Sequence, residues 1–265
     1  MSSYLYLLFW LISFGASIVG AICGIGGGVI IKPTLDAFGV LSVQAISFLS
    51  GCTVLAMTCY SVLKSRLSGE SLIDLRIGTP LAVGAAIGGS VGKTLFQMLS
   101  GIFADKDTVG AVQAGCLLVI TLGTLIYTIK KHQIRTMKVE NIAVCVMIGL
   151  VLGVFSSFLG IGGGPINLVV LFFFFSMDTK AAAQNSLYII LFSQITSLLN
   201  SLVTRTVPEF SIWLLVLMTA GGIFGGMCGR KINRRIDASV VDKLFVMLMI
   251  VIIGINIYNI YQFMH

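Results

Sequence analysis

Two glycine runs carry the chemistry that this sequence can offer. Gly24-Ile25-Gly26-Gly27-Gly28 recurs as Gly160-Ile161-Gly162-Gly163-Gly164, and Pro165 follows the second run at once. Glycine lets a backbone turn sharply and come close to a ligand, and proline suits the first position of a helix. A helix starting directly after such a run points free N–H groups and a positive dipole end at whatever lies there. Two such ends facing each other form an anion site without a buried charge. The candidate substrate-binding residues are therefore Gly24, Gly26, Gly27, Gly28, Gly160, Gly162, Gly163, Gly164 and Pro165, with Asn167 just inside the second helix. Ser50, Asn185 and Ser186 add hydroxyl and amide groups that complement an oxyanion. Ser47, Thr53, Gln184, Gln194 and Thr196 lie in the same stretches, and hydrogen bonding between helices is the alternative role for all of them.

Glycine also lets membrane helices pack closely. Gly84, Gly88, Gly89 and Gly92, like Gly221, Gly225, Gly226 and Gly229, keep helical spacing and are read as packing stripes. Three adjacent glycines read better as ligand contact. A dinucleotide-binding fingerprint is excluded, because no flanking strand or suitably spaced acid is present.

Other chemistry is missing. His132 and His265 form no cluster, and there is no HExxH or nucleophile elbow. The six cysteines lie inside apolar runs without a CxxC pair, so they read as small core residues, with neither disulfide nor metal. Asp36, Glu70, Asp74, Asp105, Asp107, Glu140, Asp178, Glu209, Asp237 and Asp242 all fall at span edges or in loops, so no proton relay or cation site is visible. Lys32 is expected to snorkel to the membrane surface, and Asp74 with Arg76 to form a solvated pair. No enzyme activity, metal or cofactor is expected.

The elements that must position these residues follow from composition. Of 265 residues, 57% are hydrophobic and 10% charged, and the mean hydropathy is +1.03. A soluble domain carries about 25% charged residues, so a cytosolic enzyme, a nucleic-acid binder and a disordered chain are excluded. The apolar runs do not alternate as barrel strands do. The fold class is all-α, a polytopic membrane protein. The net charge of +7 comes from short basic clusters between apolar runs, as in cytoplasmic loops. Residues 1–20 lack a basic stretch before the apolar one and read as a retained helix.

The chain repeats itself. Besides the glycine runs, the two stripes correspond, Lys93 matches Arg230, Ser50 matches Ser186, and 122–127 echoes 253–258. The expected organisation is a first repeat at 1–129, a basic linker at 130–140 and a second repeat at 141–265. Each half opens with an apolar run well beyond the roughly 20 residues of one crossing. Splitting each at its glycines predicts full helices at 4–23 and 141–159 and short ones at 28–40 and 165–177. Further spans are expected at 42–63, 72–92, 108–129, 180–203, 210–229 and 240–262.

Charge decides how the broken pairs count. If each crosses once, Lys and Arg divide eight against eight, with Lys32 unplaced. If each goes in and returns, thirteen lie on one side and only Lys32, Lys93, Lys106 and Arg205 on the other. The bias favours the second case. That predicts two inverted repeats, each a GIGGG-broken helix pair followed by three transmembrane helices, with both termini outside.

These residues resemble the TauE/SafE family of sulfite exporters and related permeases. The resemblance rests on the two GIGGG motifs opening the two halves, the first continued by Lys32-Pro33, and on Ser50 and Ser186 in the next helix. In the second half Pro165 comes at once, and Val169 stands where a second proline is expected. The resemblance implies a secondary transporter in the cytoplasmic (inner) membrane that moves a sulfur-containing anion such as sulfite or an organosulfonate. Export by alternating access is the expectation; a passive anion channel and proton-coupled uptake are the alternatives. The implied partners are a small anion and the lipid bilayer.

Overall fold

The computed structural model describes residues 3–102 and 106–264, and these form ten α-helices and no strand. Asp105 and His265 lie outside the described residues, as do the side chains of Lys106, Asp107 and His132. The helices are α1 (Ser3–Cys23), α2 (Gly28–Phe38), α3 (Val43–Leu67), α4 (Leu75–Ile102), α5 (Lys106–Lys130), α6 (Ile142–Phe158), α7 (Pro165–Phe175), α8 (Thr179–Val203), α9 (Ile212–Asn233) and α10 (Ala238–Met264). Six are long and apolar enough to cross a membrane: Tyr4–Cys23, Val43–Leu67, Thr108–Lys130, Thr179–Val203, Ile212–Asn233 and Ala238–Met264.

Local chemistry sets the helix ends. Asp178 accepts hydrogen bonds from the N–H groups of Lys180 and Ala181, and Asn141 from those of Ala143 and Val144, as side-chain N-caps do. Helix α2 stops at Phe38, two residues before its expected end, because Gly39 takes a left-handed conformation with φ 61°. Helix α7 likewise stops at Phe175. Ser176 is left-handed there (φ 52°), and its hydroxyl donates to the Met137 carbonyl at 2.8 Å. Eleven residues make a helix of about 16 Å, roughly half the ~30 Å hydrocarbon layer. The two short helices therefore do not span it.

Helix α4 departs most from expectation. It starts at Leu75 rather than 72, because Gln184 and Asn185 hold the backbone of Leu72 and Asp74 outside the helix. It continues to Ile102 instead of ending at 92. Lys93 lies within the helix rather than in a loop, buried with its ammonium 5.0 Å from the centroid of the Phe96 ring.

Glycine stripes fix the helix directions. Gly221, Gly225 and Gly229 of α9 meet Trp10, Phe14 and Ile18 of α1 in order, so these helices run the same way. Gly84, Gly88 and Gly92 of α4 meet Val146, Leu150 and Val154 of α6 in the same manner. At each of these places the partner is backbone; a Cβ would overlap it at five of the six and be tight, at 3.0 Å, at Gly221. Close backbone approach is how membrane helices gain attraction where lipid gives no hydrophobic drive. Thr53 and Met57 of α3 face Gly222 and Gly226, so α3 runs with α9. It runs against α8, since Ser65 donates to Gln184 at 2.9 Å and Gly51 lies by Gln194. Helix α8 runs with α4, because Thr196 donates to the Ala86 carbonyl at 2.6 Å and Asn200 to that of Ser90 at 3.2 Å. Helices α1, α3 and α9 thus point one way and α4, α6 and α8 the other. Lys64, Arg66, Arg76, Lys180, Arg230 and Arg234 gather at the end where α3 and α9 finish and α4 and α8 begin.

Candidate functional site

Each glycine run is a tight reversal between a long helix and a short one. The N–H groups of Gly24 and Ile25 both donate to the Gly20 carbonyl, at 2.9 and 3.1 Å, and the chain then doubles back along α1. Gly26 (φ 73°) and Gly162 (φ 70°) hold the same left-handed place in the two runs. That conformation costs other residues roughly 1–2 kcal/mol, so glycine is required there by the turn itself.

The two reversals meet. Gly28 lies against the Ile161 carbonyl so closely that a Cβ would overlap it, and its Cβ position is 3.0 Å from the Ser50 hydroxyl. The Cβ position of Gly26 is 3.3 Å from Val54, 3.6 Å from Ile190 and 3.7 Å from the Gly162 carbonyl. Val54 and Ile190 are the twelfth residues of α3 and α8, each 25 residues long, so the meeting point lies at mid-helix. Further out, Gly24 sits on Ala183 of α8 and Gly160 on Ser47 of α3. Ile25, Val29, Ile161 and Leu168 enclose the loops at 0–2% exposure.

Both short helices begin here. Neither start carries a side-chain cap: Gly27 precedes α2, and Gly164, fully extended, precedes α7 with Pro165 at its first turn. Around them stand buried polar atoms without a hydrogen-bond partner, namely the hydroxyls of Ser47, Ser50 and Ser186 and Oδ1 of Asn167. Ser50 and Ser186 are at 0% exposure and Asn167 at 1%. More than nine in ten buried polar groups are normally paired, and an unpaired one costs about 1–3 kcal/mol. Together the three hydroxyls, which can donate, and the amide oxygen, which can only accept, mark a place with unused hydrogen-bonding capacity. The space beside the second loop, lined by Ser156, Ile161, Gly163 and Asn167, is too narrow for a water molecule.

Two residues sit differently from expectation. Asn185 is engaged by the backbone of the α3–α4 connection. Its Oδ1 accepts from the Asp74 N–H at 3.2 Å, and its amide donates to the Leu72 and Ala181 carbonyls at 3.1 and 2.9 Å. Its polar atoms fasten the α3–α4 connection. Lys32 does not snorkel. It is 3% exposed, its ammonium lies 2.6 Å from Asp36, and its Cε is 3.4 Å from the Cβ position of Gly160. A carboxylate is therefore buried inside the protein, which the placement of acids at span edges did not foresee. The signal was the i,i+4 spacing of Lys32 and Asp36 on one face of a helix.

Comparison with known proteins agrees with this architecture. The family model described as "Sulfite exporter TauE/SafE" matches residues 9–257. "Probable membrane transporter protein YunE" of Bacillus subtilis is 25% identical, covering 93% of this chain and 94% of its own. "Probable membrane transporter protein MJ0441" of Methanocaldococcus jannaschii is 24% identical over 86% of each chain. A "Probable membrane transporter protein" of Haemophilus influenzae is 24% identical over 95% of this chain and 97% of its own. No solved structure matches the chain. With nearly its whole length matched and both glycine loops in place, the chain belongs to the TauE/SafE sulfite exporter family.

Proposed function

We propose that this protein is a secondary transporter of a small sulfur-containing anion, of the sulfite or organosulfonate class, in the cytoplasmic membrane. One observation carries the reading. Two uncapped half-helices start at apposed glycine loops at mid-helix, among four buried polar atoms that have no partner. Half-helix N-termini directed at a midplane site are how inverted-repeat transporters hold anionic groups. The hydroxyls of Ser50 and Ser186 and the N–H groups at the loops would take the oxygens, and Asn167 would turn its amide N–H groups towards them.

We read the halves as inverted repeats, 1–129 and 141–265, joined by 130–140. The opposed directions of α1 and α6 support this, as does the exchange of contacts in which α1 packs on α9 while α6 packs on α4. The basic end is then cytoplasmic, with both termini outside. The loops are in close contact, so passage requires one repeat to rock against the other, and alternating access follows. An inside-negative potential favours outward movement of an anion by about 2.3 kcal/mol per charge per 100 mV. Asp36 is matched by Lys32 and adds no net charge, so export needs no coupling ion.

Solid-supported-membrane electrophysiology on reconstituted protein tests this. The challenge set is sulfite, sulfate, thiosulfate, taurine, sulfoacetate and acetate. A saturable current for one sulfur oxyanion, lost in Gly163→Val, is expected. Single-channel openings would replace the carrier with a channel.

A further inference from the structure

The two glycine loops are each approached by a mouth, and the mouths differ in charge. At the basic end, Ser61, Ser65, Glu70, Ala183, Arg230 and Arg234 line a pocket whose Ala183 lies under Gly24. There Glu70 pairs with Arg230 at 3.4 Å and with Arg234. At the opposite end, Gln44, Lys93, Phe96, Gln97, Ser100 and Thr206 line a cavity of about 260 Å³. Gln44 is one helical turn before Ser47, which lies under Gly160, so this mouth leads to the second loop.

The correspondence of Lys93 with Arg230 extends to Gln97 with Arg234, at the same spacing, and sets Thr206 where Glu70 stands. Gln97 closes its mouth by donating to Thr204 and Thr206, a neutral contact. Among the described residues Lys93 is consequently without an acid. It is 8% exposed, no carboxylate among the described residues lies within ion-pair reach, and its ammonium stands 5.0 Å from the centroid of the Phe96 ring with the Cys52 thiol in electrostatic reach. The Ser100 hydroxyl beside it is buried and unpartnered. Burying an unpaired ammonium is costly, and a cavity carrying that charge together with an open hydroxyl is built for a negative visitor. From Gln44 the face of α3 continues through Ser47 and Ser50, whose hydroxyls are also unpartnered, down to the loops.

We propose that the Lys93 mouth is an anion-binding station that takes a small tetrahedral or pyramidal oxyanion, sulfite or a sulfonate, on the side opposite the basic end. Binding there requires no transport, although its role as a stop on the path rests on the transport reading. Lys93 supplies the charge and Ser100 a hydrogen bond. Thr206 keeps the mouth open to anions by not being an acid.

The test is equilibrium binding of radiolabelled sulfite to the purified full chain in nanodiscs, under argon. Wild type is expected to bind saturably. Lys93→Met should bind about tenfold more weakly or worse, and Lys93→Arg should keep most of the affinity. Thr206→Glu, which supplies the acid of the other mouth, should lose binding without touching the lysine and decides the matter if the Met variant fails to fold. No binding by wild type, or equal binding by wild type and Thr206→Glu, overturns the proposal. Sulfite flux measured on the same proteins is separate: flux that persists without Lys93-dependent binding leaves the transport reading standing.

Discussion

Replacing Gly28 by alanine adds one methyl group where the two glycine loops touch. Gly28 opens α2 in ordinary helical geometry and has no positive φ, so alanine meets no backbone strain there and gains up to ~1 kcal/mol of helix propensity. The cost comes from contact alone. The new Cβ would overlap the Ile161 carbonyl and lie 3.0 Å from Ser50 Oγ. A backbone carbonyl cannot rotate aside as a side chain can, so the loops must part, at about 1–3 kcal/mol for overpacking of this kind. The net expectation is a loss of roughly 1–2 kcal/mol in stability and a fall of more than about tenfold in transport, since misplacing binding groups by an ångström is costly. Gly26→Ala separates strain from contact. Its Cβ would come to 3.3 Å from a Val54 methyl, which need give only a few tenths of an ångström, so the left-handed penalty of about 1–2 kcal/mol dominates. Gly254→Ala, with nothing within 4 Å of its Cβ position, should gain about 0.5–1 kcal/mol and transport normally. Radiolabelled sulfite flux into proteoliposomes and fluorescence-detected thermal unfolding read both quantities. Wild-type stability and flux in Gly28→Ala would refute the apposed-loop reasoning.

Lys32→Met should cost about 3–5 kcal/mol, because it strands Asp36 in a buried site, and Lys32→Met combined with Asp36→Leu should recover most of it; thermal unfolding of the single and double variants checks this. Asn185→Ala should destabilise by about 1–3 kcal/mol by freeing the Leu72 and Asp74 backbone groups, while the KM for sulfite stays at the wild-type value in flux assays. Glu70→Gln should change stability by less than about 1 kcal/mol, since the Glu70 side chain is 41% exposed and such pairs are weak; the melting temperature reports it.

Much of the fold is legible in the residues. The apolar runs place the helices, and the glycine runs mark where each long run breaks, because three adjacent glycines cannot continue a packed helix. The stripes Gly84 to Gly92 and Gly221 to Gly229 are packing seams, as their helical spacing implied, and their partners are the helices that open the opposite halves. The end of α4 was hidden for a physical reason. Lys93 depresses local hydropathy, and only the ring of Phe96 one turn on makes its burial tolerable. Asn185 has the type and position of a ligand, and its engagement elsewhere is not legible in the sequence. Its actual partners, Leu72 and Asp74, come from more than 110 residues away in sequence, and no local pattern encodes that. Lys32 and Asp36 were readable as a pair, but whether a pair sits at the interface or inside the protein depends on what surrounds α2. There, Asn259 of α10 donates to the Pro33 carbonyl at 2.9 Å and covers the helix.

We propose that the apposed glycine loops pass a sulfur oxyanion by a carrier cycle. Counterflow tests it most directly: proteoliposomes loaded with unlabelled sulfite are diluted into a trace of radiolabelled sulfite. A carrier predicts transient accumulation of label above equilibrium in wild type and none in Gly163→Val. Label that only equilibrates with wild-type protein, or never enters faster than in protein-free liposomes, would contradict the account.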